Sequence, residues 1–216
     1  MDVVIAGGHG QIARLLTRRL AGDGHRVRGL IRNPGHTPDL EADGAEPVEC
    51  DLETAGDDEL DSAVAGADAL VFAAGAGPGS GAERKETVDL GGAVRTIEAC
   101  RRNGVARYVM VSAMGTDEPP QDDAVFSVYL RAKAHADEAL RGSGLDHTIV
   151  RPGRLTDDPP TGRVQLARHV ERAEISRADV AHVLAAVLDE PATIGHTFEV
   201  VGGDTPIDEA LQGLVG

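Results

Sequence analysis

Asp2-Val3-Val4-Ile5-Ala6-Gly7-Gly8-His9-Gly10-Gln11-Ile12-Ala13 opens the chain, and the order of residue types in this stretch decides the fold. Residues 2–6 form a short apolar run of strand length, and apolar residues then recur with helical period over 11–21. Between the two, Gly7, Gly10 and Ala13 give the spacing G-x-x-G-x-x-A. Glycines there permit a tight strand-to-helix turn and a close ligand approach, and a small Ala13 lets the helix lie near the sheet. Backbone N–H groups at the helix start point outward, and the helix dipole favours negative charge beside them. Gly7, Gly8, His9, Gly10, Gln11 and Ile12 are therefore expected around the pyrophosphate of a dinucleotide. His9 reads either as a cover for the phosphates or as a structural turn residue. His147 reads as structural.

The same alternation continues outward. Candidate strands fall at 26–31, 46–50, 69–73, 108–112 and 148–150, with helical periodicity over 59–65, 84–102 and 125–141. Gly22-Asp23-Gly24, Asn103-Gly104 and Ser143-Gly144 each follow a helical pattern and offer a residue that ends a helix. Strand alternating with helix implies parallel pairing, because a parallel connection needs a crossover. The expected fold class is α/β, a doubly wound parallel sheet of Rossmann type. After Arg151-Pro152-Gly153 the pattern changes to a turn-rich loop, a strand at 163–167, a helix at 177–188, a strand at 197–201 and a short helix from Ile207. Residues 1–216 thus read as one nucleotide-binding domain, within which 154–216 form a small substrate-covering region.

Composition narrows the function. The 216 residues carry 21 Lys+Arg against 36 Asp+Glu, a formal charge of −15, with 41% hydrophobic and 26% charged residues. Such a chain can bury a core. Its acidic balance and 2% aromatic content, with no Trp, argue against nucleic-acid binding. Cys50 and Cys100 lack metal-ligand spacing, so no metal site is expected and both read as buried thiols. The opening apolar run is too short for a signal peptide, and no stretch approaches the roughly 18 apolar residues of a membrane span. A cytoplasmic protein with no membrane partner is the expectation; oligomeric state is not encoded legibly.

At the end of the second candidate strand, an acidic residue would suit a ribose diol and a basic one a 2′-phosphate. Arg32 stands there, and no acidic residue lies between Arg26 and Pro38, which favours NADP over NAD. Asp51 reads equally as an acceptor for the adenine amino group and as an N-cap of the following helix.

Tyr129 and Lys133 lie four residues apart on the 125–141 helix and so share a face. An ammonium beside a phenol would lower its pKa towards a value useful for proton transfer. Only two lysines, Lys85 and Lys133, occur in the chain against 19 arginines. A lysine at this position is therefore a chemical choice, because a compact ammonium also reaches ribose hydroxyls. Ser112 ends a strand at the carboxyl edge, where ligands of such sheets bind, and is placed to hold a substrate oxygen.

Together the glycine loop, Arg32, Asp51-Leu52, Ala73-Ala74-Gly75, Ser112 and Tyr129-x-x-x-Lys133 resemble the short-chain dehydrogenase/reductase superfamily. Val88-Asp89-Leu90-Gly91-Gly92, Arg107 to Ser112, Tyr129 to Lys133 and Ser143 to Gly153 look more narrowly like its atypical, NAD(P)-binding, epimerase/dehydratase-like branch. The resemblance spans nearly the whole chain. It implies that Leu52, Ala73, Ala74, Gly75 and Pro152 contact the cofactor, and that the segment after Arg151 lies near the nicotinamide. In the superfamily an asparagine completes the catalytic tetrad; Asp89 occupies the matching position, where a carboxylate cannot donate as the amide does but would orient Lys133 or a water chain by charge. The expected function is an NADP-dependent oxidoreductase or epimerase acting on a small carbonyl or hydroxyl substrate. The alternatives are a non-catalytic NADP-binding redox sensor or interaction protein, and a flavin or quinone reductase without a catalytic tyrosine. Substrate choice is expected to lie in the loops at 75–82, 113–124 and 156–161.

Overall fold

A computed structural model describes residues 1–77 and 79–215; Pro78, within the expected specificity loop at 75–82, and Gly216 lie outside the described residues. The chain runs β1 (Asp2–Ala6), α1 (Gln11–Gly22), β2 (Arg26–Ile31), α2 (Thr37–Asp43), β3 (Glu46–Glu49), α3 (Asp57–Val64) and β4 (Ala69–Phe72). It continues through a bent helix made of α4 (Ala82–Arg84), a π-helical segment Lys85–Gly92 and α5 (Ala93–Asn103). Then follow β5 (Arg107–Val111), α6 (Val125–Arg141), β6 (Asp146–Pro152), β7 (Arg154–Thr156), β8 (Arg163–Ala167), β9 (Glu174–Ser176), α7 (Arg177–Asp189), β10 (Thr197–Gly202), β11 (Thr205–Pro206) and α8 (Ile207–Val215).

Nine strands form one sheet in the order β11-β8-β10-β6-β5-β4-β1-β2-β3. From β3 to β10 all pairings are parallel, as the alternation of strand and helix requires. β8 and β11 add an antiparallel edge, so the sheet is not parallel throughout. The chain reverses its lateral direction between β1 and β4, and the crevice of a doubly wound sheet opens at the carboxyl ends of the strands flanking such a point.

Both faces are covered, and the strands carry apolar residues on both sides. Val3, Ile5, Leu16, Leu20, Val180, Leu184 and Phe198 belong to one buried cluster, while Val4, Leu60, Leu70, Phe72, Ile97 and Leu140 belong to the other. Full burial of each such side chain is worth about 1.5–3 kcal/mol.

Three departures from the sequence pattern have physical causes. Helix α2 follows a 3-10 turn, and its Pro38 sits in the first turn, where no N–H is required; prolines there obscure a helix in the sequence. The helix expected over 84–102 is interrupted by the π-helical segment, in which Gly91 and Gly92 weaken regular helical bonding. β7 and β9 pair in parallel as a separate two-stranded sheet, too short to leave a periodic signal.

Candidate functional site

The opening turn has the geometry its spacing calls for. Gly7 has φ +80°, and a Cβ there would lie 2.6 Å from Ala74 Cα. At Gly8 a Cβ would lie 2.8 Å from Gly29 Cα, so the loop rests directly on β2. Gly10, the N-cap of α1, brings no side-chain cap, and no acidic residue stands in the first helical turn. The first N–H groups of a helix have no intrahelical acceptor, and here they meet no competing carboxylate of their own helix. This cradle fits a diphosphate.

Two cavities meet at Gly10, Ala73, Ala74 and Gly75. The smaller, about 270 Å³, is lined by Gly7, His9, Arg32, Asp51 and Leu52 among the anticipated residues. The larger, about 1290 Å³, takes in Gln11, Ile12, Asp89, Ser112, Tyr129, Lys133 and Pro152. Gly8 lines neither cavity and acts through the backbone packing just described.

At the smaller end, Arg32 is exposed and its Nη1 lies 3.5 Å from Glu53 Oε2. Sequence reading missed Glu53 and Arg84, which reach the same cavity from other segments. Glu53 accepts hydrogen bonds from Arg84 Nη2 at 2.6 Å and Thr87 Oγ1 at 2.6 Å, and these hold its carboxyl below the ordinary range. Asp51 does not cap α3, whose N-cap is Gly56. Its Oδ1 instead accepts Glu53 N at 3.0 Å and closes the turn after β3. His9 Nε2 lies 2.8 Å from Asp39 Oδ2, and its ring stacks on His36 at 3.6 Å. Cys50, which also borders this cavity, is buried and its thiol is pushed up to about 11; Cys100 is buried and pushed up to about 12. Both effects come first from burial.

At the larger end, Lys133 is 4% exposed and Asp89 1% exposed. Lys133 Nζ donates to Val111 O at 3.1 Å and Ala74 O at 3.4 Å, and lies 3.5 Å from Asp89 Oδ1. Asp89 Oδ2 accepts Ala76 N at 3.0 Å. The ammonium is therefore committed to Asp89 and two carbonyls. Lowering of the phenol by Lys133 is not what results: burial first, then the carboxylates of Asp89 and Asp137, push Tyr129 above its ordinary value. Tyr129 is held as the neutral acid.

Ser112 follows β5 directly; its backbone N–H donates to Val150 O at 2.8 Å, and its buried Oγ has no partner of hydrogen-bond geometry. Beneath it, Asp137 is fully buried and its Oδ2 receives Arg151 Nε at 3.1 Å and Nη2 at 2.9 Å. Burial raises the Asp137 carboxyl in spite of Arg151. No signal in the sequence marked this pair.

The sheet, the glycine turn and the crevice define a Rossmann protein built to hold a nicotinamide dinucleotide. The chain belongs to the NAD(P)H-binding family that matches residues 7–191. It is 40% identical, over 99% of its own length and 100% of the relative's, to the uncharacterized sugar epimerase YhfK of Bacillus subtilis. A Bacillus halodurans structure described as a candidate NAD-dependent epimerase/dehydratase superposes with a TM-score of 0.93 at 41% identity, covering 99% of this chain and 100% of that one. The oxidoreductase ylbE of Lactococcus lactis gives 0.88 at 27% identity, covering 100% and 97%. A short-chain dehydrogenase/reductase of Veillonella parvula, solved with NADP, shares the fold with a TM-score of 0.74 at 21% identity, covering 96% and 97%. Among the described residues, no helix is long and apolar enough to cross a membrane.

Proposed function

We propose that the protein is an NADP-dependent oxidoreductase, of a kind that includes epimerases, acting on a small carbonyl or hydroxyl compound. The observation that carries this reading is one cavity shared by the open start of α1, at Gly10 and Gln11, and by Ser112, Tyr129, Lys133 and Pro152. When bound, the nicotinamide supplies a carbon that gives or takes a hydride. The residues of the chain supply alignment and the proton. Tyr129, kept neutral, donates its proton to the substrate oxygen in the reductive direction. Ser112 lines this cavity next to the Asp137 carboxyl and holds that oxygen through its hydroxyl. Lys133, fixed in position by Asp89, reaches a ribose hydroxyl by giving up its long contact to Ala74 O at 3.4 Å. Segment 154–216 contributes Arg154, Leu155 and Arg172 to the wall and closes the substrate side.

NADP is preferred to NAD because Arg32 offers an exposed guanidinium at the ribose end, while Glu53 is already engaged by Arg84 and Thr87. A reductase that passes hydride directly to a flavin or quinone is favoured by one observation, the diversion of Lys133 from Tyr129 to Asp89. NADPH oxidation in the presence of carbonyl compounds, flavins and quinones separates the two. Turnover lost in Tyr129→Phe supports the first reading, and turnover that survives supports the second.

A further inference from the structure

The larger cavity, about 1290 Å³, exceeds the roughly 300–1,000 Å³ usual for a single small ligand. It has room for a substrate beside the cofactor. Its walls include Ile12, Val111, Met114 and Leu155, and Phe126 lines it while 61% exposed. A large aromatic side chain left in water at the start of α6 is matched by an apolar body lying against it.

Cations in the wall are unevenly paired. Lys133 is paired with Asp89, Arg154 with Glu174 and Arg177 with Asp157. Lys85 and Arg172 also line the cavity, and among the described residues neither has a carboxylate within 4 Å. Lys85 Nζ donates to Gly77 O at 2.9 Å and lies 5.5 Å from the centre of the Tyr129 ring, and an ammonium has two further donors to give. Both lysines of an arginine-rich chain thus border the same cavity. With a net charge of −15, the field of the whole chain repels anions, so an anionic ligand must be drawn by uncompensated local cations.

Building on the oxidoreductase reading, we propose that the substrate is an amphipathic oxo acid. Its apolar body rests on Phe126, and its carboxylate is held by Lys85 and Arg172 beside Tyr129. Phenylpyruvate and its neutral methyl ester serve as probes, titrated by calorimetry into protein saturated with NADP, a combination in which no reduction occurs. The wild type should bind the acid about tenfold more tightly than the ester, the scale of one charge-assisted contact. Lys85→Met with Arg172→Met should bring the two affinities within about twofold while ester binding stays the same, an outcome set by removal of that contact. NADP binding by the variants is the control for folding. Equal binding of acid and ester by the wild type, binding of neither, or a preference that persists in the double variant overturns the proposal. A variant that loses NADP affinity along with the acid also overturns it, because the cations would then serve the cofactor. If the wild type fails to bind NADP, the oxidoreductase reading falls, and the same acid-to-ester comparison on cofactor-free protein still decides the anion site.

Discussion

Lys133 Nζ and Asp89 Oδ1 lie 3.5 Å apart in the interior, one on α6 and the other on the π-helical segment that precedes α5. The pair ties two helices together beneath the cavity and fixes the direction of the ammonium. Removing one partner of a buried ion pair leaves an uncompensated charge, at a cost of about 3–5 kcal/mol. Asp89→Ala also removes the acceptor for Ala76 N. Urea unfolding should show a loss of that size for Asp89→Ala and a smaller one for Asp89→Asn, whose amide oxygen still accepts from Ala76. Equal stability of Asp89→Ala and the wild type would contradict the geometry.

Tyr129 should be essential to turnover and dispensable for the fold. General acid catalysis contributes roughly 10²–10⁴-fold, so Tyr129→Phe should lower kcat for carbonyl reduction by that range with little change in NADP affinity. The pH profile follows from the raised phenol. The neutral, proton-donating form is present below the folded-state pKa and is lost above it, so an upward shift extends activity to alkaline pH. No fall in kcat assignable to Tyr129 should occur below about pH 10, the ordinary tyrosine value. Steady-state kinetics across pH 7–10, an estimate anchored on that value, make the check.

Arg32 and Arg84 should set cofactor choice to different degrees. Arg32 is exposed and weakly held by Glu53, whereas Arg84 is bound to it at 2.6 Å. Arg32→Ala should reduce the preference for NADP over NAD by about 1–3 kcal/mol, the range for charge-assisted contacts. Arg84→Ala frees Glu53 to repel a 2′-phosphate and should shift the preference in the same direction. Calorimetry with both cofactors tests this, and unchanged ratios in both variants would remove the assignment.

Acid should weaken the junction of α1 with α2. Asp43 is buried, which raises its carboxyl, but hydrogen bonds from Arg14 and Arg18 more than offset this and hold it below the ordinary value. A lowered carboxylate stabilises the fold above its unfolded-state pKa, and the contribution disappears as pH falls through the folded value. Asp43→Asn should be less stable than the wild type by roughly 1–2 kcal/mol at pH 7. The gap should narrow below about pH 4, near the unfolded aspartate value. Denaturant melts at stepped pH measure it; a constant gap would mean that Asp43 acts through packing alone.

Much of the fold was legible because its signals are local. The period-2 and period-3.6 runs located β1, β2, α6 and β8 at their observed bounds, and the glycine turn placed the crevice. Tyr129, Lys133 and Ser112 could be named because spacing on one helix and position at a strand end are sequence properties. The interrupted helix between β4 and β5, the short α2, and the β7–β9 pair were not legible, since the first depends on packing and the others fall below the length at which periodicity speaks.

The order of residues alone set the parallel core, the glycine turn and the identity of the polar groups facing the crevice. Apart from the Lys133–Asp89 pair, which charge meets which was settled only by folding. Glu53 reaches Arg84 across 31 positions, and Arg107 reaches Val187 O across 80. Lys133 turns to Asp89, 44 positions earlier in the chain, and leaves Tyr129 protonated. Secondary structure follows from periodicity within a few turns of chain, whereas pairing and desolvation of ionisable groups depend on neighbours that only the assembled sheet and its helices bring together.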